Sequence, residues 1–122
     1  MPPCPPVHHV AFRTADVPAL AAFYRELLGL PLVRDLSPRS LWLGLGGDAV
    51  LMIEGREAKE PPVPTGTMDL VAFRVDPQRK AAIRTEAVAR GCFDGETDHT
   101  VYLRDPDNRR IGVSTFPFDD LG

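Results

Sequence analysis

The chain has only two cysteines, Cys4 and Cys92, and no apolar run near the roughly 18 residues that a membrane-spanning helix needs. So few thiols cannot form a disulfide framework, so packing has to hold the fold and both cysteines are expected to be reduced. The opening MPPCPP has neither a basic n-region nor an apolar h-region, so it reads as no signal peptide. A basic excess is missing as well. Lys and Arg number 14 against 17 Asp and Glu, a net charge of −3, which argues against nucleic acid as the main partner. No nucleophile–base pair, phosphate loop or dinucleotide fingerprint is found, and Cys92 follows a helix C-terminus, where the dipole disfavours a thiolate. These absences leave a cytoplasmic globular domain spanning 1–122, with no membrane and no nucleic-acid partner.

What is present is repetition. The tetrapeptide VAFR occurs at 10–13 and at 71–74, 61 positions apart in 122 residues. Half a chain length between copies suggests one supersecondary unit built twice. In the first copy, 7–14 alternates as a strand. Asp16 and Pro18 open a helix with Leu20, Phe23, Leu27 and Leu28 at helical spacing, and Gly29 closes it. Segments 32–36, 40–45 and 49–54 read as three short strands between turn signals. The second copy gives a strand at 68–75 and a helix from Pro77 to Gly91 with Ile83, Ala87 and Val88 on its apolar face. A poorly patterned 92–96 follows, then strands at 100–104 and 109–116. The prediction is an α+β chain of two βαβββ modules, 7–54 and 68–116, joined by a charged, Pro/Gly-rich linker at 55–67. Laid without gaps, 40–54 falls over 100–114, so that Trp42 meets Tyr102 and Ile53 meets Val113.

Strand alternation divides these residues into two faces. Val10, Phe12, Leu43, Leu51, Ile53, Phe73, Leu103, Ile111 and Val113 form an apolar set that must meet the helices. The other face is mixed. It carries His9, Ala11 and Arg13; Leu70, Ala72 and Arg74; Trp42 and Tyr102; Met52 and Glu54; Arg110, Gly112 and Ser114. Large aromatics with polar tips at equivalent positions favour the wall of a ligand site over the alternative, a junction between modules.

HHVAFRTADVPALAAFYRELLGLPL at 8–32 and VYLRDPDNRRIGV at 101–113 resemble the vicinal oxygen chelate superfamily, which includes glyoxalase I, bleomycin-resistance proteins, extradiol dioxygenases and epimerases. The first stretch is similar to that family's H-[VI]-x-[FI]-x-x-x-D opening and FYxxxLG helix end. The second is similar to its D-P-D-G turn and last strand, with Asn108 standing for the glycine. The resemblance implies a cupped, eight-stranded mixed sheet. It also implies metal ligands, in metal-dependent members, at the positions held here by His9, Met52, Leu70 and Gly112. One imidazole, one thioether and two groups without donors do not make a zinc, nickel, manganese or iron site, so no metal and no cofactor is expected.

Two readings follow, beside a third in which the cup is filled by the protein's own side chains and the chain is a structural or regulatory partner. The first is a metal-independent, homodimeric protein that binds or sequesters a small organic molecule through His9, Arg13, Trp42, Met52, Glu54, Arg74, Tyr102 and Arg110. If either equivalent arginine stays within the cup, that molecule carries a negative charge and a flat or apolar part. The second is a lyase or isomerase of the glyoxalase or epimerase type. It would work through a metal, or through His9 and Glu54 as acid and base, which are weak candidates for catalysis. His8 is expected to face the helix edge, and Asp98 and His99 the rim.

Overall fold

A computed structural model describes residues 3–118, in two compact units, 1–62 and 63–122. The first contains β1 (His9–Thr14), α1 (Val17–Leu27), β2 (Leu32–Leu36), β3 (Ser40–Gly44) and β4 (Val50–Gly55). The second repeats that order as β5 (Leu70–Arg74), α2 (Pro77–Arg90), β6 (Phe93–Glu96), β7 (Thr100–Arg104) and β8 (Arg110–Ser114). Each unit holds one four-stranded mixed sheet, ordered β1-β4-β3-β2 and β5-β8-β7-β6. The first and last strands of each unit pair in parallel and the other neighbours antiparallel. The eight strands are therefore two sheets of four, one per module.

The alternation puts the two faces where the sequence places them. Leu43, Leu51 and Ile53 in the first sheet, and Leu103, Ile111 and Val113 in the second, are no more than 1% exposed. Burying such side chains stabilises a fold by about 1.5–3 kcal/mol each. Phe12 packs behind the sheet against Tyr24 of α1, ring centroids 5.9 Å apart. Asp16 caps α1 by accepting from the Ala19 amide at 3.1 Å, and Asp76 caps α2 by accepting from the Arg79 amide at 2.7 Å. Both helices carry proline in the first turn and are followed by a left-handed glycine, Gly29 at φ 70° and Gly91 at φ 76°.

Several boundaries differ from the sequence reading. β1, β5 and β8 are shorter than expected, and Val7 and Met68 lie exposed outside the ladders of the first two. The segment 92–96, which looked unpatterned, contains β6. Gly95 at φ 110° and a register shift between Phe93 and Glu96 break its alternation. Val88, expected on the apolar face of α2, is exposed. Asn108 takes φ 68°, the left-handed geometry its replacement of glycine requires. Its turn is held by buried Asp105, whose carboxylate accepts from the Asp107 and Arg109 amides. Among the described residues no helix is long and apolar enough to cross a membrane.

Candidate functional site

The face of each sheet away from its helix carries the mixed residues, and the register fixes who neighbours whom. In the first sheet Arg13 stands beside Glu54, which stands beside Ser40. One step along, Ala11, Met52 and Trp42 form a second row, and His9 lies beside Val50 in a third. An open groove of about 840 Å³ runs here, lined by Arg13, Ser40, Trp42 and Glu54, with Asp35 and Arg39 contributed by the β2–β3 hairpin.

Charge in this groove is largely matched within the protein. Arg13 forms a two-bond fork with Glu60, Nε to Oε2 at 3.2 Å and Nη2 to Oε1 at 2.9 Å, and lies 3.7 Å from Glu54. That fork holds the Glu60 carboxyl below the usual carboxylate range and raises the Arg13 guanidinium further. Asp35 is also held low, by the Ser37 hydroxyl and amide. Trp42 donates its indole N–H to Ser40 Oγ at 2.9 Å, and the guanidinium of Arg34 lies 5.2 Å from the ring centroid.

The second sheet presents the matching rows Arg74–Ser114–Thr100, Ala72–Gly112–Tyr102 and Leu70–Arg110–Arg104. Its groove is smaller, about 350 Å³, and Arg74 is the charged member of a lining that includes Leu70, Thr100, Tyr102, Ser114 and Phe118. Arg110 lies over the Tyr102 ring at 3.8 Å from its centroid and reaches Asp94 at 3.4 Å. Arg104 also pairs with Asp94, at 2.9 Å, so this corner fixes the tyrosine in place. Arg74 lies 5.3 Å from the centroid of Phe118, and Phe118 packs on Phe116, which meets His99 edge-on. Asp119 and Asp120, which the sequence offers as partners for the arginines, lie outside the described residues.

The predicted residues thus fall into two groups. Arg13, Trp42, Met52 and Glu54 share the first open face, and Arg74 and Tyr102 line the second beside Arg110. His9 and Glu54 are not brought together. Their strand partners are Val50 and Arg13, so they stand four positions apart, about 13 Å at the usual rise per residue. His8 precedes β1, exposed, with its Nδ1 2.9 Å from that of His9. The sequence reading missed Glu60, in a stretch that looked like a bare linker, and the paired hydroxyls of Thr100 and Ser114, 2.7 Å apart.

The donor set does not fit a metal. At the four positions named by the resemblance the first sheet offers His9 and Met52, on neighbouring strands but in different rows. The second offers Leu70 and Gly112, and a Cβ on Gly112 would already meet Thr100 Cγ2 at 3.2 Å. Cys92 is half-buried, and burial pushes its thiol up, away from the reactive thiolate.

A family model described as the glyoxalase/bleomycin resistance protein/dioxygenase superfamily matches residues 7–113, and the chain belongs to that superfamily. A glyoxalase/dioxygenase from Nostoc punctiforme is similar in structure at a TM-score of 0.78 and 22% identity, over 92% of this chain and 91% of that one. A genomically encoded fosfomycin resistance protein from Listeria monocytogenes gives 0.76 at 13% identity, over 93% of both chains. Lactoylglutathione lyase from Agrobacterium tumefaciens gives 0.65 at 21% identity, over 93% of this chain and 95% of its own. No curated protein matches the sequence significantly. At such identities the likenesses establish the fold, on which these relatives carry different activities.

Proposed function

We propose that the chain is a metal-independent protein that binds or sequesters a small organic molecule on the open faces of its sheets, as a cytoplasmic homodimer of the bleomycin-resistance type. The observation that carries this reading is the donor set at the family's metal positions: one imidazole, one thioether, a leucine and a packed glycine. The aromatic residues supply the binding surface. Trp42 and Tyr102 occupy equivalent places, each with an arginine over its ring, so neither loses much side-chain freedom when a ligand stacks on it. The lyase or isomerase reading needs either a metal, which the donor set does not favour, or His9 and Glu54 acting as acid and base on one small substrate, and their separation along the sheet counts against that.

Elemental analysis of the purified protein should find no stoichiometric transition metal. A screen of small organic ligands by thermal shift should yield a compound that raises Tm, with the rise reduced by Trp42→Ala or Tyr102→Ala. A bound metal whose chelation abolishes an activity overturns the reading. So does ligand binding indifferent to both substitutions. Light scattering checks the homodimer.

A further inference from the structure

The duplication supplies an internal control for what an arginine on the open face binds. Arg13 and Arg74 are equivalent residues in equivalent strands, in the rows Arg13–Glu54–Ser40 and Arg74–Ser114–Thr100. In the first module the guanidinium is occupied by carboxylate: Glu60 in a two-bond fork, with Glu54 at 3.7 Å. In the second module a hydroxyl, Ser114, replaces Glu54, and among the described residues no carboxylate pairs with Arg74. The row that holds a carboxylate on its arginine in one module is thus repeated in the other with a hydroxyl in the place of Glu54.

The surroundings of Arg74 say what else such a ligand would carry. Ser114 Oγ accepts from Thr100 Oγ1 at 2.7 Å and from the Phe116 amide at 3.2 Å. A serine hydroxyl both accepts and donates, and the strand register sets this one beside Arg74. The rest of the lining is apolar or aromatic: Leu70, Phe73, Tyr102, Phe116 and Phe118. A cavity of about 350 Å³ suits a small ligand. Phe116 and Phe118 are each about half exposed, so apolar surface remains for a ligand to cover.

We propose that the open face of the second module is a recognition site for a small aryl carboxylate. Its carboxylate sits on the Arg74 fork and the Ser114 hydroxyl, and its ring lies among Tyr102, Phe116 and Phe118. This rests on the reading of the open faces as ligand sites, and narrows it to one module and one ligand class. An arginine fork distinguishes a carboxylate from its amide because the amide lacks both the charge and the second acceptor oxygen.

The test is calorimetric titration of the full chain with 2-naphthoate, benzoate, 2-naphthamide and acetate. The naphthoate should bind most tightly, and the amide about tenfold or more weakly, the loss typical of a charged hydrogen bond. Acetate, with no ring, should also bind weakly. Arg74→Gln should weaken naphthoate about tenfold or more and leave the unliganded Tm unchanged, Arg74→Lys should recover part of the loss, and Lys59→Gln should have no effect. Equal affinity for acid and amide overturns the proposal, as does naphthoate binding that survives Arg74→Gln. If a neutral ligand binds and is lost with Tyr102→Ala while no carboxylate binds, the ligand class is wrong and the open face remains a site. If no ligand of any charge binds, both readings fall.

Discussion

Six residues of α1, among them Leu20 and Tyr24 with no exposed surface, are buried over β3 and β4; in α2 only Ile83 and Ala87 are, over β6 and β7. The open faces differ in the same direction. The first module meets Arg13 with its own carboxylates, whereas the second sets Arg74 among aromatic rings and hydroxyls. Two copies of one strand order therefore differ both in packing and in how their arginines are matched. The first is tightly packed and internally neutralised; the second is more loosely anchored and presents chemistry outward.

The largest effect that would sharpen this contrast is in the helices. Leu20→Ala should cost about 3 kcal/mol in urea-induced unfolding, within the range for fully buried leucines. Ile83→Ala should cost about 2 kcal/mol, because exposed surroundings let the site relax. Equal losses would break the comparison, as would amide exchange in α2 that is no faster than in α1. The caps come next. Asp16→Ala and Asp76→Ala should each destabilise by about 1 kcal/mol, since both use the same device of a carboxylate accepting from the third residue on. Unequal cap losses would show that the difference between the helices begins at their first turns.

The smallest effect is a pH dependence carried by the Arg13–Glu60 fork of the first module. The folded-state pKa of Glu60 lies below its unfolded value, so its stabilisation is complete above the ordinary carboxylate pKa. It fades as pH falls through the lowered value. Arg13, shifted upward, stays charged throughout the accessible range, so the acid-side loss belongs to the carboxylate. Glu60→Gln should flatten the fall in Tm on acidification, leaving the part due to Asp35. A profile unchanged by Glu60→Gln would mean the fork contributes nothing measurable, as some exposed ion pairs do.

Much of the fold was legible because alternation and helical spacing are local signals. The stretch 40–54 over 100–114 gave both sheets their phase, and Asp16, Pro18, Pro77 and Gly91 marked the helices. β6 was hidden because a bulge and a left-handed glycine remove the period by which a strand is recognised. The open faces were legible as faces: Arg13, Glu54, Trp42, Arg74 and Tyr102 all stand on the side assigned to them. Their partners were not. The Arg13–Glu60 fork closes over a separation of 47 residues, and no local pattern announces such a contact. Nor does spacing reveal that Arg110 holds Tyr102, or that His9 and Glu54 belong to different rows.

In both modules the opening strand is hydrogen-bonded to the closing one, β1 to β4 and β5 to β8, so no ladder crosses from Pro62 to Val63. Splicing a foreign peptide into that junction would interrupt neither described sheet, and cutting the backbone there would leave every described strand pairing within one piece. The seam is where a reporter could be grafted, or the halves exchanged with those of another member of the superfamily.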